Sequence, residues 1–105
     1  MFAVIYRAFI FPEKVTEYQR LWRDVACFFV DQRGALGSTL HRTEDGQWVA
    51  YSRWPDRKTR DASWSTHDVR DDLPLEMQHT IANLKLCIDR DQPYEEICME
   101  VVDQA

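Results

Sequence analysis

The fold is decided by a hairpin in the middle of the chain. Residues 37–54 are GSTLHRTEDGQWVAYSRW, two stretches rich in β-branched and aromatic residues on either side of Asp45-Gly46. An Asp-Gly pair between two such stretches favours a two-residue type I′ turn, in which both central residues have positive φ. We therefore predict an antiparallel hairpin with strands over 37–44 and 47–54.

The segment before the hairpin predicts a strand and a long helix. Arg7 is the only charge between residues 2 and 11, among β-branched and aromatic neighbours, which indicates a strand. Pro12 suits the first position of a helix that we expect to end near Gln32, with Gly34 just beyond its C-terminus. The helix has one apolar face, made of Val15, Tyr18, Leu21, Trp22, Val25, Phe28 and Phe29.

The segment after the hairpin predicts two helices and a last strand. Pro55 and Asp56 mark the start of a short helix, and residues 75–89 have a mostly helical apolar pattern. Pro93 precedes an alternation of apolar and polar residues that is typical of a half-buried strand. The order β-α-β-β-α-α-β predicts an α+β fold of the ferredoxin-like type, with a four-stranded antiparallel sheet.

Composition indicates a soluble protein of one domain, spanning 1–105. Hydrophobic residues make up 45% of the chain and charged residues 30%, and no apolar run approaches the roughly 18 residues of a membrane span. The net charge of −5, with scattered basic residues, disfavours a nucleic-acid partner. Three cysteines at long spacings, Cys27, Cys87 and Cys98, suggest a reducing cytoplasm and buried small hydrophobes.

The first strand has two apolar faces, which predicts a homodimer. One alternating set, turned toward the helices, is Val4, Tyr6, Ala8 and Ile10. The other set is Ala3, Ile5, Arg7, Phe9 and Phe11. Since helices cover only one face of such a sheet, a second copy would bury the other. The alternative is a mildly apolar face that simply contacts solvent.

Two polar residues are candidates for catalysis. Tyr6 could hydrogen-bond a substrate hydroxyl or quinone oxygen, although such a tyrosine is more often a satisfied core residue. His67, in a polar loop, could take a proton from a hydroquinone, although loop histidines are usually only solvated. Adjacent acidic residues point apart on a helix or strand, so the pairs Asp71-Asp72 and Glu95-Glu96 are expected to be solvated.

Aromatic residues are candidates for binding a flat substrate. Trp22, Trp54 and Trp64 could wall a pocket by stacking, although Trp22 and Trp54 would also suit the core. His79, on the third helix, is a further candidate substrate contact, with a surface position as the alternative. The sequence has no glycine-rich phosphate loop, nucleophile elbow, HExxH or cysteine metal spacing, which agrees with a reaction that uses no cofactor.

Three short motifs carry a resemblance to a known family. They are Pro12-Glu13-Lys14 after the first strand, Gly34-Ala35-Leu36-Gly37-Ser38 before the hairpin, and Tyr51-Ser52-Arg53-Trp54-Pro55 at its end. With the helix of spaced aromatics, they resemble the antibiotic biosynthesis monooxygenase-like domains. The resemblance implies a dimeric α/β-barrel with a pocket between sheet and helices. Members include cofactor-free oxygenases of polycyclic aromatics or quinols, and relatives that bind and degrade haem.

The haem-degrading members use an asparagine on the first strand, a tryptophan on the second helix and a histidine ligand further along. Trp64 matches the tryptophan, but Tyr6 or Arg7 occupies the strand position. The histidine position falls near Pro74, so haem would need a different axial ligand. The nearest histidines are His67 and His79.

The leading hypothesis is therefore a cofactor-independent monooxygenase acting on a hydroxylated aromatic or quinol. In it, Tyr6 and His67 orient and deprotonate the substrate while Trp64 stacks against it. The alternative is a dimeric module that binds a small ligand without turnover.

Overall fold

The computed structural model describes residues 1–63 and 72–105, and its elements follow the predicted order. A 3₁₀ turn at Pro12–Lys14 separates the first strand from the first helix. The strands are β1 (Phe2–Ala8), β2 (Gly37–Arg42), β3 (Trp48–Trp54) and β4 (Glu95–Glu100). The helices are α1 (Val15–Gln32), α2 (Arg57–Ser63) and α3 (Leu75–Leu86).

The four strands form one antiparallel sheet in the order β2-β3-β1-β4. The helices cover the face that carries Val4 and Ala8, both buried, and Tyr6 is half-buried on that same face. The predicted orientation of the first strand is therefore confirmed, and so is the ferredoxin-like α+β fold. Strand β1 is central, which places its side chains beneath α1.

The opposite face of the sheet is not covered by any described element and is apolar along one row. The register aligns Tyr51 of β3, Ile5 of β1 and Ile97 of β4 side by side, and all three are half-buried. Arg7 and Glu95 lie in the next row, where they form an ion pair of 3.5 Å. A band of apolar side chains thus lies beside charged groups.

Helix α1 forms because its buried residues recur on one side, and it ends where glycine permits a reversal. Tyr18, Leu21, Val25 and Phe29 are its buried residues. Gly34 has φ +84°, and the N–H of Ala35 then donates to the carbonyl oxygen of Phe29 at 3.1 Å. Positive φ is readily adopted only by glycine, so the predicted end of the helix is confirmed by geometry.

The hairpin forms as predicted, but its turn is of a different kind. The strands end at Arg42 and Trp48, and Gly46 has positive φ (88°) whereas Asp45 does not. The N–H of Gly46 donates to the Thr43 carbonyl oxygen at 3.1 Å, and Thr43 Oγ1 accepts from the Gln47 N–H at 3.0 Å. The type I′ prediction is wrong because the Thr43 side chain closes a longer loop, in which the glycine follows the turn.

Three smaller expectations are corrected. The β1 ladder ends at Ala8, and the chain then makes an isolated bridge between Ile10 and Ile88. Because Ile88 joins that bridge, α3 stops at Leu86 rather than near residue 89. Cys87 is buried as expected, but two cysteines are exposed because they lie on the outer side of α1 and on an edge strand. They are Cys27 and Cys98.

Candidate functional site

The core is divided into two clusters with a cavity between α1 and the sheet. One cluster surrounds Phe29 and Trp54, and the other surrounds Tyr18 and Trp48. The cavity has a volume of about 100 Å³ and is lined by members of both clusters. Small side chains leave this space, since four alanines line it where larger residues would fill it. They are Ala8, Ala26, Ala35 and Ala50.

Tyr6 lines the cavity, and a buried arginine holds its hydroxyl. Arg60 of α2 donates from Nη2 to the Tyr6 hydroxyl oxygen at 2.9 Å. The same nitrogen forms an ion pair with Glu96 of β4, whose side chain is 20% exposed, against 9% for Arg60. Nη1 of Arg60 contacts Asp61 at 3.2 Å. The guanidinium thus joins α2 to β1 and β4 at the site.

Burial raises the pKa of the Tyr6 phenol above its ordinary value of 10.0, even though the hydrogen bond and charge of Arg60 act in the other direction. The phenol therefore stays protonated in neutral solution. A neutral phenol can donate a hydrogen bond to a substrate oxygen but cannot act as a general base at that pH.

A second polar group lines the cavity on the hairpin. Ser38 of β2 and Ser52 of β3 are paired across the ladder, and their Oγ atoms are 2.9 Å apart. Both line the cavity and both are half-buried.

The structure brings three of the predicted site residues together. Tyr6, Trp22 and Trp54 all line the cavity. Trp22 also borders an open groove, so it lies between the cavity and the surface. His79 is exposed on α3 and is not among the lining residues, so the geometry gives it no support as a substrate contact. The two remaining candidates, Trp64 and His67, lie outside the described residues.

Sequence reasoning missed Arg60 and the role of Glu96. The pair Glu95-Glu96 was expected to be solvated, but only Glu95 is exposed. Glu96 turns to the helix-covered face because it lies opposite Tyr6 in the ladder. Of the other pair, Asp72 is exposed and bonded to Arg33 at 2.8 Å. The alternation along the last strand puts the two glutamates on opposite faces of the sheet. It does not show which strand lies beside the last one, so the position of Glu96 opposite Tyr6 could not be predicted.

Neither a metal cluster nor a membrane helix is found in the part of the chain that the structure describes. No group of three or more His, Cys, Asp or Glu side chains within 1–63 and 72–105 could hold a metal ion. None of the helices in those ranges has the length and apolar character needed to cross a membrane.

Solved structures of antibiotic biosynthesis monooxygenases share this fold. One has a TM-score of 0.71 at 22% identity, covering 98% of this chain and 100% of that chain. SnoaB, a cofactor-independent oxygenase from Streptomyces nogalater, has 0.73 at 15% identity, covering 98% and 94%. Rv0793 from Mycobacterium tuberculosis has 0.72 at 18% identity, covering 99% and 97%. The sequence matches no protein-family model and no curated protein. The expected resemblance is confirmed for the fold.

Proposed function

We propose that this protein is a cofactor-independent monooxygenase that oxidises a hydroxylated aromatic or quinol in the cavity beneath α1. The observation that carries the proposal is a largely apolar cavity with aromatic walls, in whose lining Arg60 holds the neutral phenol of Tyr6. The shared fold with SnoaB, which is named a cofactor-independent oxygenase, supports the same chemistry.

The cavity is smaller than a substrate of two or more aromatic rings. An apolar cavity of about 150 Å³ holds a single benzene ring, and ordinary ligand pockets measure roughly 300–1,000 Å³. At about 100 Å³, this cavity must open to admit two or more rings. Trp22 is half-buried between the cavity and the groove, so its movement would enlarge the space most directly.

The proposed reaction needs little from the protein beyond binding and shielding. Tyr6 donates a hydrogen bond to the substrate oxygen and so stabilises the anion formed when the substrate loses a proton. The anion passes an electron to O₂, and the two radicals combine to a peroxide. For an anthrol, the ring CH of the anion becomes a carbonyl carbon, one oxygen atom enters the product and the other leaves as water. His67 stays our predicted base for the proton.

Oxygen uptake tests this proposal. Metal-free protein is mixed with a panel of anthrols and naphthohydroquinones. We expect one O₂ to be consumed, and one of its oxygen atoms to enter the product, for each molecule of substrate oxidised. Tyr6→Phe should lower kcat/KM by about tenfold, the value of one hydrogen bond to a developing charge. Tyr51→Phe, on the opposite face of the sheet, should leave it unchanged.

No oxygen uptake with any of these substrates would contradict the proposed oxygenase activity. Binding of the same aromatics without uptake would then favour a ligand-binding module. Added haem gives a third outcome, since a Soret band would favour a haem protein.

The homodimer and the cytoplasmic location belong to the same proposal. The row formed by Tyr51, Ile5 and Ile97 would be covered if two copies packed sheet to sheet. Burying apolar area contributes roughly 25 cal/mol per Å² before the cost of association. All three cysteines are free thiols, which suits a reducing compartment.

A further inference from the structure

The hydroxyls of Ser38 and Ser52 are out of keeping with the rest of the cavity lining on the hairpin. The neighbouring positions on the same face are Leu40 and the buried residues Ala50 and Trp54. Strands favour β-branched and aromatic residues at such positions, and serine there contributes neither packing nor strand propensity. A pair of serines directly opposite each other is therefore better explained by a polar contact with a ligand than by packing.

The hydrogen bond within the serine pair uses only one of its two hydroxyl protons. Two hydroxyls carry two protons, and the bond of 2.9 Å between the Oγ atoms uses one of them. Whichever serine donates, the other proton has no acceptor among the hydrogen bonds of residues 1–63 and 72–105. A ligand oxygen in the cavity would be such an acceptor.

The serine pair and the Tyr6 hydroxyl lie toward opposite sides of β1. Arg60 Nη2 contacts both that hydroxyl and Glu96 of β4, whereas Ser38 and Ser52 are on β2 and β3. Tyr6 lies opposite Ala50, and Ser52 is two residues further along β3 on the same face. Standard strand spacings put the Cα atoms of Tyr6 and Ser52 about 8 Å apart, one strand over and two residues along. Ala50 lies between them and has no polar side-chain atom. Tyr6 and the serine pair are thus two separate polar positions in a lining that also includes Tyr18, Tyr94 and Lys85.

We propose that Ser38 and Ser52 form a second oxygen-binding anchor, so that the cavity prefers aromatics with two oxygen substituents on remote positions. One oxygen binds at Tyr6 and the other at the serine pair. This inference rests on the proposed function, because it places the same aromatic in the same cavity.

Binding of matched naphthalenes under anaerobic conditions tests the proposal. Quenching of tryptophan fluorescence, with Trp22 and Trp54 in the wall, gives the Kd of a naphthol and of dihydroxynaphthalenes with both hydroxyls on one ring or on different rings. We expect the best different-ring diol to bind about tenfold tighter than the naphthol, as one added hydrogen bond allows. Same-ring diols should gain less.

Variants separate the anchor from the pocket. Ser38→Ala/Ser52→Ala should remove the preference for the diol while leaving the Kd of the naphthol within about twofold. Ser52→Thr keeps a hydroxyl and should keep the preference. Thr39→Ala, the exposed neighbour on the other face of β2, is the matched control and should change neither Kd.

The outcomes distinguish this proposal from the proposed function. If naphthol and diols bind the parent protein equally, or if the double variant weakens both alike, the second anchor is overturned while the aromatic pocket stands. If no naphthalene binds, the proposed function fails together with it. A preference retained by the double variant would also overturn the anchor.

Discussion

Arg60 is the residue on which the geometry of the site depends most. It lies on a short helix, yet its guanidinium is buried and joins Tyr6 and Glu96 on two strands. Its Nε is buried and has no hydrogen-bond partner within the described part of the chain. Burying a charge costs desolvation free energy, and the contacts of the guanidinium with Tyr6 and Glu96 offset that cost. We infer that it fixes the position of the phenol.

Removing this guanidinium should destabilise the protein more than removing an exposed one. Arg60→Met takes the cation away from a Glu96 side chain that is 20% exposed, and we expect a loss of about 1–3 kcal/mol in the free energy of unfolding. Arg7→Met breaks an ion pair whose side chains are 43% and 54% exposed, and should cost less than about 1 kcal/mol. Urea denaturation at neutral pH measures both.

The double variant Arg60→Met/Glu96→Met checks the cause. If the loss comes from the carboxylate left behind, the double variant should be more stable than Arg60→Met alone. Equal losses for Arg60→Met and Arg7→Met would show that burial of this pair has no energetic consequence.

Tyr18 gives the protein a sensitivity to alkali. Burial raises the pKa of its phenol above the ordinary 10.0, with smaller contributions from Tyr94 and Cys87. The folded state therefore keeps a proton that the unfolded chain releases, so this stability is fully present below pH 10.0 and is lost as pH rises further. Tyr18→Phe should make the decline shallower by about 1.4 kcal/mol per pH unit. Urea denaturation from neutral pH upward tests this, and parallel curves for the two proteins would contradict it.

At the scale of elements, the end of α1 is fixed by one glycine against α2. Gly34 has φ +84°, and a Cβ there would lie 3.2 Å from Cγ2 of Thr59. Gly34→Ala should therefore lower the free energy of unfolding by about 1–2 kcal/mol, through backbone strain and this contact. Gly46→Ala has the same kind of strain but no atom within 4 Å, so it should cost only about 1 kcal/mol.

Thr59→Ser separates the two causes in the Gly34→Ala variant. Because it removes Cγ2 and keeps the hydroxyl, it should recover the part of the loss that comes from the contact. Thermal melts of the parent, of Gly34→Ala, Gly46→Ala and Thr59→Ser, and of the double variant Gly34→Ala/Thr59→Ser measure these losses. If Gly34→Ala and Gly46→Ala lowered the stability equally, the contact with Thr59 would contribute nothing, because α2 would shift to make room for the Cβ.

The elements were predictable where a local pattern decides them. Each of these patterns lies within one stretch of sequence: the apolar face of α1 and the alternation of β1 and of β4. The position of Trp22 on the cavity side of α1 follows from the first of them. The turn at residues 43–47 was not, because the Thr43 side chain competes with the Asp-Gly preference. Arg60 was not predictable either, since its partners are 54 and 36 residues away and meet it only once the strand order is known.

At the scale of the whole molecule, the two faces of the sheet differ in how they are packed. The helix-covered face leaves a cavity between its two clusters, which lowers the packing density of the core. The other face has a half-buried apolar row, Tyr51, Ile5 and Ile97, with no described element over it. A chain of this size gains stability by covering such a row, and a two-fold dimer does so with one interface.

Charges placed in that row should prevent the proposed dimer from forming. Tyr51→Arg places one cation from each copy within the proposed apolar interface, whereas Leu86→Arg changes a residue of α3 that is 66% exposed. Sedimentation equilibrium should therefore find dimers for the parent and Leu86→Arg, and monomers for Tyr51→Arg. Far-UV circular dichroism establishes that each variant is folded. A parent protein that is monomeric at micromolar concentrations, or a Tyr51→Arg protein that stays dimeric, would mean that this face of the sheet is not the interface.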